Sequence, residues 1–110
     1  MEIQFSNFSI TGSEKPALKV EVIGEAKGSA TEILRGKLPE ILANEADLVY
    51  LDIRGLTDND LGFVNEIIHM HYTLAEQSKK LILLYKKGST FEPWINTSGI
   101  DKFVELAITA

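Results

Sequence analysis

The stretch "DLVYLDIRGLTDNDLGFV", Asp47 to Val64, decides how the chain is read. Leu48 to Leu51 form a tight apolar run, followed by Ile53 and a glycine at position 55. With its β-branched and aromatic residues, this run reads as a buried strand. From Leu61 onward the apolar residues recur at helical spacing. Thr57, Asp58, Asn59 and Asp60 lie between the two as a polar hinge. Three roles compete for that hinge: an acidic catalytic or metal site, a regulatory contact loop, or a helix cap.

Working outward, "LGFVNEIIHMHYTLAEQSKK" places Leu61, Val64, Ile68, His71 or Tyr72, and Ala75 on one side, predicting a long amphipathic helix. The run "KLILLY" beyond it reads as a central strand. Upstream, "ALKVEVIGEA" alternates through Leu18, Val20 and Val22, as a half-buried strand should. "IQFSNFSITG" alternates too, but slips at Ser6-Asn7, which predicts a bulge or a tight turn between short strands. The turn cluster "GSEKP" makes a hairpin of these two segments.

"GSATEILRGKLPEILANEAD" predicts a helix with Ser29 and Glu32 in capping-box spacing. Its apolar face is Ile33, Leu34, Leu38, Ile41 and Leu42, and Gly36 with Pro39 predicts a kink or break. "STFEPWINTSGI" repeats the capping signature with Ser89 and Glu92, tolerates Pro93 in a first turn and stops at Gly99. "DKFVELAI" closes with a short strand. The predicted order is β-β-α-β-α-β-α-β: one α/β domain over residues 1–110, with a mostly parallel sheet and an N-terminal antiparallel hairpin.

Composition narrows the function. A chain of 110 residues that is 45% hydrophobic and 25% charged is ordinary for a soluble domain. A net charge of −5 argues against a nucleic-acid partner, because phosphate binding needs clustered Lys and Arg. The chain has no cysteine, which excludes disulfides, thiolate zinc sites and cysteine nucleophiles. No basic segment followed by an apolar core opens the chain, and no apolar run approaches the roughly 18 residues that span a bilayer. A soluble cytoplasmic protein, without membrane insertion, is expected.

Residues that carry chemistry are few. Asp58 and Asp60 supply too few oxygen ligands for Mg or Ca, and the calcium-loop pattern is missing. A carboxylate at a helix start serves as a cap and complements the dipole. His69 and His71 lie roughly 200° apart around a helix, so they cannot converge on one metal. Gly24 and Gly28 precede a helix start, but neither phosphate-binding glycine pattern is present and Glu25 and Glu32 would repel a phosphate. No serine sits in a Gly-x-Ser-x-Gly elbow. Trp94 and Ile95 are a candidate partner anchor, with packing of Trp94 over the sheet edge as the rival reading. No catalytic residue, metal site or cofactor is predicted, and an enzyme is not expected.

Several landmarks taken together resemble the sulfate-transporter and anti-sigma-factor-antagonist (STAS) domain. They are Leu51-Asp52-Ile53 at the strand end, the polar loop and long helix, "KKLILLY", and Ser98-Gly99-Ile100-Asp101-Lys102-Phe103 before the last strand. "VIGEAKGSATEIL" is also similar to the family's first strand-to-helix passage. The resemblance covers residues 17 to 108. It implies an α/β sheet with helices mainly on one side and a non-catalytic interaction module. The implied partners are proteins of bacterial-type signalling: an anti-sigma-factor kinase, a stress-signalling complex or a transporter.

In the family's antagonist branch, a loop serine is phosphorylated by the partner kinase and the complex breaks. This chain departs from that pattern. Aligning on Asp58 puts Asn59 and Asp60 where the serines belong, whereas aligning on Gly62 puts Asp60 and Leu61 there. Thr57 is the only hydroxyl close by and hence the candidate phosphoacceptor. The resemblance therefore implies a partner-binding loop of Thr57, Asp58, Asn59, Asp60, Leu61 and Gly62, either fixed in a phosphorylated-like state or serving a partner without a phosphoswitch. Two alternatives remain: a cytosolic STAS subunit of a membrane lipid or solute transporter, and a small metal-dependent enzyme using Asp52, Asp58 and Asp60.

Overall fold

Alternate residues of three strands are buried on one side of a sheet: Leu18, Val20 and Val22; Val49, Leu51 and Ile53; Leu81, Leu83 and Tyr85. The computed structural model, which describes residues 1–109, places them in β2 (Ala17–Ala26), β3 (Leu48–Asn59) and β4 (Lys80–Lys86). The flanking strands are β1 (Glu2–Phe8) and β5 (Glu105–Thr109), and the sheet order is β1-β2-β3-β4-β5. β1 pairs antiparallel with β2, and every other pairing is parallel. The helices are α1 (Thr31–Gly36), α2 (Leu38–Ala43), α3 (Leu61–Glu76) and α4 (Glu92–Ser98), with 3-10 turns at Gly28–Ala30 and Ile100–Lys102.

The helices bury Leu34, Leu38, Ile41, Phe63, Val64, Ile67, Met70, Leu74 and Ile95 into the same core. The sheet residues that alternate with the core set, including Lys19, Glu21, Tyr50, Ile82 and Leu84, stay partly exposed. Helices therefore cover one face and leave the other open, as the resemblance implies. The expected α/β fold with its N-terminal hairpin is the observed one.

Five local expectations need correction. β1 runs unbroken, in register from Glu2 opposite Ile23 to Phe8 opposite Ala17, with no bulge. The slip in its pattern arises because Asn7 takes the core-side position, where it hydrogen-bonds Asn44, while Phe8 turns to the open face against the Tyr50 ring. The two capping boxes do not form either. Neither Ser29 nor Ser89 accepts a cap hydrogen bond, and the Ser89 hydroxyl is buried without a partner among the described residues. Glu92 reaches back one residue further than expected, accepting from the Gly88 N–H at 3.1 Å.

The helix before β3 breaks at Lys37, as Gly36 and Pro39 predict, but Ile33 points outward and is 44% exposed. In α3 the buried stripe is Phe63, Val64, Ile67, Met70 and Leu74, about one residue around from the expected face, which leaves Leu61 and Tyr72 exposed. Gly99 ends α4 in the left-handed conformation, φ 70°, as expected of a glycine stop.

Candidate functional site

The polar hinge is not a loop. β3 continues beside β2 past two register shifts, so Glu25 lies opposite Asp58 and Ala26 opposite Asn59. Thr57, Asp58 and Asn59 thus end a strand, and Asp60 alone separates it from α3. The loop expected at residues 57–62 is a shoulder of regular structure. Local sequence did not predict this, because the strand is prolonged by its neighbour and by bulges that absorb the mismatch.

Asp60 holds the shoulder together. Its backbone is extended, and Oδ1 accepts a hydrogen bond from the Phe63 N–H at 3.0 Å, which makes it the N-cap of α3. Oδ2 accepts from the Gly28 N–H at 2.8 Å, in the turn that leads from β2 into α1. Gly28 takes φ 58°, a left-handed conformation that glycine adopts without penalty. Its N–H stabilises the Asp60 carboxylate most, and with the Phe63 N–H it outweighs partial desolvation to hold the pKa below the ordinary aspartate value. A side chain at position 62 would crowd this cap, since a Cβ on Gly62 would stand 3.2 Å from Asp60 Oδ1.

The other carboxylates are also engaged. Asp58 is paired with Lys27, whose ammonium, together with the Asn59 N–H, lowers the Asp58 pKa. Asn59 is buried, with Nδ2 directed at the Asp60 carbonyl at 3.4 Å. Thr57 is exposed, and its carbonyl accepts from the Thr90 hydroxyl at 3.5 Å. Asp52 lies apart on the open sheet face, 2% exposed, gripped by Arg54 through Nε–Oδ1 (2.9 Å) and Nη2–Oδ2 (2.8 Å). Burial pushes its pKa up, but the Arg54 hydrogen bonds prevail and the net shift is downward.

Asp52, Asp58 and Asp60 are therefore not brought together. Each answers to a different partner, and among the described residues no three His, Cys, Asp or Glu side chains converge as metal ligands. His69 is exposed, whereas the part-buried His71 ring lies 5.1 Å from Tyr72. Trp94 is half-buried and packs against the core, and Ile95 is buried. Among the described residues, no helix is long and apolar enough to cross a membrane.

The shoulder presents one large apolar side chain to solvent, among the exposed Thr57 and the half-exposed Asp58 and Lys27. Leu61, the first residue of α3, is 55% exposed, beside exposed Gly62 and Asn65. Sequence reasoning missed Lys27 and the role of the Gly28 N–H, although a glycine just after a strand was the available signal. It also missed the clamp between Arg35 on α1 and Glu66 on α3. There the Glu66 side chain is 5% exposed, and Arg35 donates to it through Nε (3.1 Å) and Nη2 (2.7 Å). Nothing in the helical pattern marks Glu66 as inward-facing.

No protein-family model and no curated protein matches the chain. Solved structures do. An anti-sigma factor antagonist from Mycobacterium paratuberculosis superposes with a TM-score of 0.73 at 16% identity, over 96% of this chain and 85% of that one. The Bacillus cell fate determinant SpoIIAA in its phosphorylated form gives 0.64 at 17%, over 97% and 92%. The anti-sigma factor antagonist SpoIIAA in its unphosphorylated form gives 0.63 at 16%, over 97% and 90%. At such identities the likeness is one of architecture, and the chain has the SpoIIAA-like STAS fold of the anti-sigma factor antagonists.

Proposed function

We propose that this chain is a non-catalytic regulatory module that docks a protein partner at the β3–α3 shoulder, without a phosphoserine switch. One observation carries the reading: the shoulder's carboxylates are engaged by backbone N–H groups and Lys27, while Leu61 is left 55% exposed at the start of α3. An exposed apolar side chain on a rigid helix start suits the apolar centre of a small interface, with the polar residues as its rim. The same arrangement weighs against a phosphorylated-like surface. Asp60 carries one charge where a phosphoserine carries about −1.5 to −2, and both of its oxygens are already engaged.

Thr57 remains the one exposed hydroxyl within the 57–62 segment and is the proposed acceptor if a kinase acts here. A phosphate there would stand beside Asp58 and Asp60, so like-charge repulsion would loosen the shoulder. The test is affinity capture from the source organism with wild type and Leu61→Glu as baits. The exposed position lets the variant fold normally, and the reading expects a protein partner retained by wild type and lost by the variant. Equal capture by both baits would overturn the Leu61 anchor, and no retained protein would overturn the docking function. Mass spectrometry of the Thr57 peptide after incubation with the captured fraction and ATP reads the acceptor directly.

A further inference from the structure

We propose that the outer edge of β5 is a self-association surface, where a second copy of this chain adds its own β5 antiparallel and the two strands cross at Ala107. Among the described residues, β5 is the edge of the sheet and is hydrogen-bonded only to β4. An edge strand exposes unpaired N–H and C=O groups, and proteins normally guard it with lysine, proline, bulges or a covering element. Glu105–Thr109 has no lysine or proline, its one charge, Glu105, is paired with Lys80, and it pairs with β4 without a register shift. It also carries Ile108, which shares with Leu61 the highest exposure of any large apolar side chain among the described residues, 55%.

β1, the opposite edge, is different. Its outward positions Glu2, Gln4 and Ser6 are polar, its core-side Ile3 and Phe5 pack against the core, and its exposed Phe8 already stacks on Tyr50.

The residue pattern of β5 is self-complementary. Two-fold pairing centred on Ala107 is the one register that joins all five residues. It sets Leu106 opposite the second copy's Ile108 on the helix-covered face, so both exposed isoleucines gain an apolar neighbour. On the open face Glu105 falls opposite Thr109, next to which Lys86 stands on β4. The row across the junction reads Ile82, Glu105, Thr109, Lys86, and Lys80 reaches Glu105 diagonally at 2.7 Å, so no like charges are directly opposed. The result is a continuous ten-stranded sheet with helices on one face.

The absence of cysteine makes the test clean. Directly opposed antiparallel residues stand about 4.5–5.5 Å apart between Cα atoms, inside the range a disulfide accepts. Ala107→Cys is therefore expected to form a covalent dimer under mild oxidation, whereas Gln4→Cys on the other edge is not. In sedimentation equilibrium wild type is expected to be dimeric. Ala107→Asp and Ala107→Lys alone lose the dimer, because each opposes its own charge, and an equimolar mixture of the two restores it. Circular dichroism establishes that the variants are folded, and the cysteine pair still decides if a charge variant is not. A wild type that stays monomeric at millimolar concentration would overturn the proposal. So would charge variants that dimerise like wild type, or equal cross-linking from both edges.

Discussion

Two strand-to-helix junctions carry the same local signature and come out differently. Thr57–Asp60 and Ser89–Glu92 each have a hydroxyl residue followed three positions later by an acid, just before a helical run. At the first, the acid itself becomes the cap of α3 and also grips Gly28 in the next turn over. At the second, the Ser89 hydroxyl is buried without a partner among the described residues, and α4 starts with no side-chain cap. The difference lies outside both tetrapeptides. β3 runs on beside β2 and delivers Asp60 to the Gly28 N–H, whereas β4 ends at a Gly88 turn that draws Glu92 back instead. A capping pattern states which atoms are able to meet; the neighbouring strand decides which of them do.

The largest expected effect comes from breaking the first junction. Asp60→Ala removes the α3 cap and the Gly28 tether together and should lower unfolding stability by about 2 kcal/mol, the upper range for a lost N-cap. Urea denaturation measures it. Asp60→Asn sharpens the point, because asparagine caps equally well but turns an amide towards the Gly28 N–H. Its loss should fall between those of wild type and Asp60→Ala. Gly28→Ala comes next: it keeps the N–H but forces a side chain into φ 58°, at a cost of roughly 1 kcal/mol. Ser89→Ala is the smallest, within about 0.5 kcal/mol of wild type, since no hydrogen bond is lost. A Ser89 variant as damaging as Asp60→Ala would erase the contrast.

The contrast has a pH signature. Asp60 and Asp52 have folded-state pKa values held below the unfolded value, so the unfolded chain binds more protons in acid. Their contribution is fully present above the unfolded aspartate pKa of about 3.9 and is lost as pH falls through the folded values. Wild type should therefore lose stability below about pH 4, and Asp60→Ala should show a shallower slope over that window, as read from urea midpoints against pH.

Much of the architecture was legible in the sequence because it rests on local patterning. The apolar runs at Leu48–Leu51 and in Lys80–Tyr85 read as buried strands, and Gly99 as the stop of α4, from short windows of sequence. The buried face of α3 was not legible. Leu61, Phe63, Val64, Ile67, Ile68, Met70, Tyr72 and Leu74 supply more apolar residues than one face holds, and the sheet's position selects among them. The site was half legible. A helix cap within Thr57–Asp60 was a fair inference, but the Gly28 tether, the Lys27 pair and the prolongation of β3 are contacts made from afar. Leu61 sits outside the core for the same reason: the sheet lies on the other side of the helix start.

The most direct test of the inward-turned shoulder needs no partner. Following the amide proton shifts of Gly28 and Phe63 by NMR from neutral pH into acid reports on the two bonds Asp60 accepts. The account predicts that both amides titrate together, with one midpoint below the ordinary aspartate value near 3.9, and that both transitions vanish in Asp60→Ala. A Gly28 amide indifferent to pH, or a midpoint at or above the ordinary value, would mean that Asp60 displays its charge to solvent and would contradict it.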